Sequence, residues 1–228
     1  METAAAFTDA VVAGLAPLAD PATAAPMAAY MRGRFAFLGI KTPARRSVST
    51  PLIRAARKSM TPADRLAAAQ KLWALPEREY LIVAVDLLAD RPATLGIAVL
   101  PVLDTLIGSK SWWDSVDGLA ASVVGPLLQA EPALRTVMDD WAGGDRLWHA
   151  RTALLFQLGY KTDTDTTRLF GYCRALADHP DFFIRKAIGW ALRQYARTDA
   201  DAVRGFVATE RERLSPLSVR EALKHLGD

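Results

Sequence analysis

The chain has 228 residues, 51% hydrophobic and 23% charged, with 28 Lys and Arg against 25 Asp and Glu. This is the composition of an ordinary globular protein, long enough for one large domain or a compact repeat array, and it excludes a disordered chain. The longest apolar runs, residues 81–85 and 97–102, are too short to cross a bilayer, and no positive region precedes the alanine-rich start, so the expected location is the cytosol, with no membrane partner.

In chain order, nearly every segment has helical periodicity and none alternates as a strand would. Helices are expected over 4–17 and 23–35, followed by a break at 38–43 with Thr42 as the next cap and Pro43 in the first helical position. Thr61-Pro62-Ala63-Asp64 repeats that start, and Asp64 completes a capping box. Further helices are expected from Pro76 to Leu88 and, after Arg91-Pro92, up to about Leu106. After the tryptophan-rich stretch come 131–141, a Gly143-Gly144 stop, 145–158, 163–177, 181–196, 199–210 and 215–226. About a dozen short helices joined by two to six residues fit an all-α solenoid of HEAT-like antiparallel pairs. The whole chain is then one repeat domain with a concave groove, its first 20 residues a poorly defined helix.

The charge is uneven. Residues 1–60 hold eight cations, among them Lys41 and Arg45, against three acids, a net +5, which leaves −2 for the remaining 168 residues. A basic third on a near-neutral body points to an anionic partner, for which a phosphate backbone is the commonest choice. The single cysteine, Cys173, excludes an internal disulfide and reads as a buried thiol. Three histidines without a second ligand at metal spacing give no reason to expect a metal, and no cofactor loop or hydrolase triad is present.

The stretch that organises the chain is Ser109-Lys110-Ser111-Trp112-Trp113-Asp114-Ser115-Val116-Asp117. Ser111 and Asp114 have the Ser-x-x-Asp spacing that opens a helix, which gives Asp114 a capping role. Trp113 and Asp117 then share one helix face, an indole beside a carboxylate, which suits a cationic substrate. A core tryptophan and a solvated aspartate account for the same spacing. On the helix 181–197, Phe183, Ile184 and Ile188 are among the residues that supply an apolar side, while Lys186, Trp190, Arg193 and Arg197 recur at four, three and four residues. Trp148 and Arg151 lie three apart on the preceding strong helix. Arg151 can grip a phosphate or pair with an internal acid, and the sequence leaves both open.

Five ordered blocks carry a family resemblance: Ala29-Tyr30-Met31-Arg32, residues 37–43, Lys110 through Asp117, residues 151–158, and Phe182 through Trp190. Together they resemble the AlkD-like DNA alkylation-repair glycosylases over about residues 25–226. The resemblance implies a helical solenoid whose basic face holds duplex DNA carrying alkylated bases, and hydrolytic excision of N3- or N7-alkylated purines without cofactor or metal. Position by position, it puts the catalytic carboxylate on Asp117, groove tryptophans on Trp113 and Trp190, the groove arginine on Arg151, and a tyrosine near the lesion on Tyr30. Lys186, Arg193, Arg197, Lys41 and Arg45 are the expected backbone contacts of a monomer working in base excision repair at the bacterial nucleoid. The region around Gly159 and Thr162–Thr167 departs from the lysine-rich forms of the family. A cationic purine leaves as a neutral base and needs no protonation, so one carboxylate suffices where ordinary glycosidases need two. A non-catalytic module for distorted or branched DNA, and a protein-binding scaffold, are the alternatives.

Overall fold

The computed structural model describes residues 3–226, and among these no β-strand forms. By its internal packing the chain divides into two units, residues 1–106 and 107–228.

The first unit holds α1 (Ala4–Leu15), α2 (Pro21–Tyr30), α3 (Thr42–Ser59), α4 (Pro62–Ala74), α5 (Arg78–Ala89) and most of α6 (Val99–Gly108). Phe7, Val11 and Leu15 repeat every four residues on α1 and are fully buried; this stripe meets α3 and α4. Helix α2 is capped by Asp20, whose carboxylate accepts from the Ala22 N–H (3.0 Å), and it ends five residues before the expected 35. Arg32 and Gly33 take left-handed backbone there, which no helix continues through. At the next start the cap is Lys41, without a side-chain bond, and the expected capping residue Thr42 is already helical. Thr61 does cap as its spacing requires, its hydroxyl accepting from the Asp64 N–H (3.1 Å) and donating to the Asp64 carboxylate (2.5 Å).

Glu79 fixes the connection between α2 and α3. It is 2% exposed, and its carboxylate accepts from the N–H groups of Leu38 (2.9 Å), Gly39 (2.9 Å) and Ile40 (3.0 Å). Gly39 has φ +90°, and a Cβ there would lie 2.1 Å from the Asp20 carbonyl, so glycine is required. Arg78 is buried beside it, its guanidinium 3.9 Å from the centre of the Phe35 ring.

The second unit continues with α7 (Trp113–Leu119), α8 (Gly125–Ala130), α9 (Thr136–Gly143), α10 (Leu147–Leu155), α11 (Thr166–Ala175), α12 (Phe182–Tyr195), α13 (Ala200–Thr209) and α14 (Pro216–Leu223). Helices α12, α13 and α14 start where expected, capped by Asp181, Asp199 and Ser215, while α11 is capped by Asp165 and starts later than residue 163. Leu119, Phe156, Ile188, Leu192 and Val203 are fully buried, and α10 packs against α7, α9 and α12. Between α7 and α8 the chain makes a wider π turn, Ala120–Val124, in which the Gly125 N–H reaches back five residues to the Ala120 carbonyl. Pro126 explains it: proline has no N–H for the residue 122 carbonyl and its ring crowds that oxygen, so the turn opens. The Tyr160 hydroxyl, buried, donates to the Gly125 carbonyl (2.7 Å) and pins the widened turn.

Candidate active site

Helix α7 begins differently from the sequence expectation. Trp112, in extended backbone (φ −157°, ψ 165°), is the cap, with no side-chain cap bond. The Ser111 hydroxyl instead donates to the Ile107 carbonyl (2.5 Å), one turn back in α6, a local bond that competes with capping. Asp114 remains in the first turn of α7, where a carboxylate suits the positive end of the helix. The Trp112 ring is buried against Phe183 (centroids 4.9 Å apart, edge-on) and Trp148 (5.8 Å), and Trp148 in turn meets Phe183 at 5.0 Å. Three helices, α7, α10 and α12, are thereby joined by one aromatic cluster.

Beside that cluster stands Asp117, one turn after the half-buried Trp113. Arg151 of α10 donates from Nε to Oδ1 and from Nη2 to Oδ2, both at 2.7 Å, and its Nη1 donates to the Phe183 carbonyl. The Arg151 side chain is 4% exposed and that of Asp117 14%. The arginine is therefore committed inside the protein, and the carboxylate is the more exposed of the two. Asp181 accepts from the Phe183 N–H (2.6 Å), which sets the first turn of α12 and with it the carbonyl that holds Arg151. The order of positioning runs from Asp181 through Phe183 and Arg151 to Asp117.

Taking both charges out of water costs several kcal/mol per ion, and only close two-point geometry of this kind recovers it. The residual cost shows on the acid. Burial pushes the Asp117 carboxyl above its ordinary value, the hydrogen bonds and charge of Arg151 pull it down, and the charge of Asp114 adds to the rise. A carboxylate has about four lone-pair directions, and Arg151 occupies two. What remains is an anion one helical turn from an indole, chemically able to stabilise a cation or to accept a proton from water.

The DNA alkylation repair enzyme family matches residues 11–226. The chain belongs to this family. A solved structure described as a predicted DNA alkylation repair enzyme from Enterococcus faecalis is similar at 32% identity and a TM-score of 0.84, covering 92% of this chain and 97% of that one. No curated protein matches the chain.

In this member of the family the other residues singled out from the sequence are spread out. Trp190 is half-buried on α12, two turns beyond Phe183 on the same face. Lys186 (2.6 Å) and Arg193 of that helix both bind the Glu221 carboxylate of α14, which holds Glu221 below its ordinary value, the Lys186 hydrogen bond foremost. Arg197 is exposed just past the end of α12. In the first unit, Tyr30 is 73% exposed at the end of α2 and Lys41 is exposed before α3, and both line a mostly apolar cleft with Met27, Met31 and Phe37. Arg45 is 7% exposed and bonded to Asp86 (3.2 Å), whereas its neighbour Arg46 faces solvent.

Cys173 is buried, and burial pushes its thiol well up. Among the described residues no three His, Cys, Asp or Glu gather as a metal site would need, and no helix is long and apolar enough to cross a membrane. Sequence reasoning missed the Phe183 carbonyl and the Trp112 ring. A backbone acceptor leaves no trace in residue type, but three aromatics at 112, 148 and 183, two inside the matching blocks and one a helical turn before a third block, were a usable signal.

Proposed function

We propose that this chain is a monofunctional DNA glycosylase that hydrolyses the N-glycosidic bond of cationic N3- or N7-alkylated purines in duplex DNA, as the first step of base excision repair. What supports the reading most is the Asp117 and Arg151 pair: a carboxylate fixed on both oxygens by a guanidinium more deeply buried than itself, one helical turn from Trp113. Family membership supports the DNA repair role.

The alkylated purine carries a positive charge, so the bond from C1′ to nitrogen breaks with its electron pair returning to the ring, and a neutral base departs. Positive charge develops at C1′ and O4′ of the sugar. Asp117 stabilises it electrostatically, the kind of term that contributes most in water-poor sites. Water adds to C1′ and its proton leaves through the same carboxylate to solvent. Trp113 and Trp190 line the sugar and offer cation-attracting faces. Arg151 acts here through Asp117, as a positioning residue. The target base needs no enclosed pocket, so bulky adducts are accepted, while neutral lesions such as uracil are not cleaved. Binding to the phosphate backbone weakens steeply with salt.

The test is release of free base from a duplex carrying one N7-methylguanine, comparing wild type with Asp117→Asn at equal folded concentration. Release by wild type and loss in the variant is the expected result. Release at the native rate by Asp117→Asn removes the acid from the mechanism. Duplex binding without release by either protein leaves the chain a DNA-binding module.

A further inference from the structure

The link from α11 into α12 reads Asp178-His179-Pro180-Asp181, and the half-buried His179 commits three separate groups to it. Its N–H donates to the Leu176 carbonyl, just past the end of α11 (3.1 Å). Its own carbonyl accepts from Nε of Arg185, one turn into α12 (2.9 Å). Its ring Nδ1 accepts from the Asp181 N–H (3.1 Å), so this nitrogen carries no proton.

Proline prepares the third bond. Pro180 has no N–H, so the first donor ahead of His179 is the Asp181 N–H, two residues on. The proline ring also fixes its own φ and favours extended backbone at His179, which leaves the link few free dihedrals. Capping of α12 does not account for the ring. Asp181 caps that helix, its carboxylate accepting from the Phe183 N–H (2.6 Å), whereas the His179 ring serves no N–H of the helix and holds the capping residue itself. Nor does the helix depend on it to fold, since Ile184 and Ile188 are fully buried and the Phe183 ring packs on Trp112 and Trp148. What the bond decides is fine placement.

The same step is made twice in series. Side-chain acceptors at 179 and 181 each take the N–H two residues ahead, the short-range turn that asparagine and aspartate favour. The next odd residue, Phe183, meets Arg151 in two ways: its carbonyl accepts from Nη1, and its ring centre lies 5.8 Å from the guanidinium. Arg151 then holds both oxygens of Asp117. We propose that His179 is a positioning residue for the site: its Nδ1 sets the Asp181 backbone, and through Phe183 the placement of Arg151 and of the Asp117 carboxylate. The effect on base release rests on the glycosylase reading above, whereas the placement of Arg151 does not depend on it.

The experiment compares the full chain as wild type, His179→Ala and His179→Asn. It reads solvent exchange of the Arg151 Nε–H by proton–nitrogen NMR, and single-turnover release from a duplex carrying one N7-methylguanine. Oδ1 of asparagine stands as many bonds from Cα as Nδ1 of histidine, so this variant keeps the acceptor and drops the rest of the ring. In His179→Ala, Nε–H exchange is expected to be about tenfold faster and the maximal release rate about tenfold lower, the order of one lost hydrogen bond. Duplex affinity holds within about twofold and the thermal midpoint falls by less than about 5 °C. His179→Asn restores both exchange and release. Unchanged exchange in His179→Ala overturns the proposal, and release by wild type then leaves the glycosylase reading standing. Faster exchange restored by asparagine, with no release by wild type, supports the placement and overturns the glycosylase reading. Equal losses in the alanine and asparagine variants make the whole ring necessary and overturn the acceptor role. Weaker duplex binding at an unchanged maximal rate makes His179 a DNA contact and overturns it too.

Discussion

Two buried carboxylates, one in each unit, are answered in opposite ways. Glu79 is 2% exposed and satisfied by three backbone N–H groups that belong to one connection. Its charge is spent on geometry: without it, residues 38–40 have no partner for three donors. Asp117 is answered by a single guanidinium that is itself more deeply buried, and it keeps some exposure of its own. Neutral donors around a sealed acid make a fastener; a buried cation behind a partly exposed acid is what the proposed function requires of a reagent. Acidity alone does not separate the two, whereas the nature of the donors does.

The contrast is broken most severely at Arg151. Arg151→Ala strands the Asp117 charge, and the expected loss is about 3–5 kcal/mol of folding stability in urea titration together with loss of base release. A loss below 1 kcal/mol removes the claim that the pair is buried and coupled. Glu79→Gln is expected to cost about 2–3 kcal/mol, because a charge-assisted acceptor is replaced by an amide donor facing an N–H, with base release per folded molecule retained. Loss of chemistry without loss of stability there reverses the two roles.

The pH profile sharpens the comparison. Asp117 must be ionised to act, and burial raises its carboxyl, so enzyme-dependent release falls as pH drops through a value above the ordinary 3.8 of aspartate. After subtraction of the spontaneous rate, an acid limb at or below 3.8 contradicts that environment. The smallest effect belongs to Glu221, whose carboxyl is lowered by Lys186 and Arg193. A lowered folded value means that the stabilisation is present above the ordinary 4.5 and is lost as pH falls through the folded value. Lys186→Met therefore costs about 1 kcal/mol at neutral pH, since the lysine is largely solvated and Arg193 still pairs with Glu221, and nothing in strong acid.

What was legible in the sequence is what is local. Thr61 caps as its spacing says, and the helices expected from Asp181, Asp199 and Ser215 start there under caps by those residues, since a cap is decided within three residues. Ser111 had two partners within reach, one ahead and one a turn behind, and residue type does not choose between them. Arg45 and Arg46 carry the same charge, yet they are about a hundred degrees apart on α3, so one enters the protein and the other leaves it. A charge count over residues 1–60 treats them alike. The Asp117 and Arg151 contact spans 34 residues, and the sequence supplied two suitable residues and no reason to join them.

The one thiol of the chain is closed off in the core, and its raised proton affinity keeps it a poor nucleophile. A cysteine introduced at an exposed position such as Arg46 or Phe182 would then take a maleimide dye alone, with Cys173 left in place. The unaltered background is ready for fluorescence measurements of DNA engagement in either unit, without first building a cysteine-free protein.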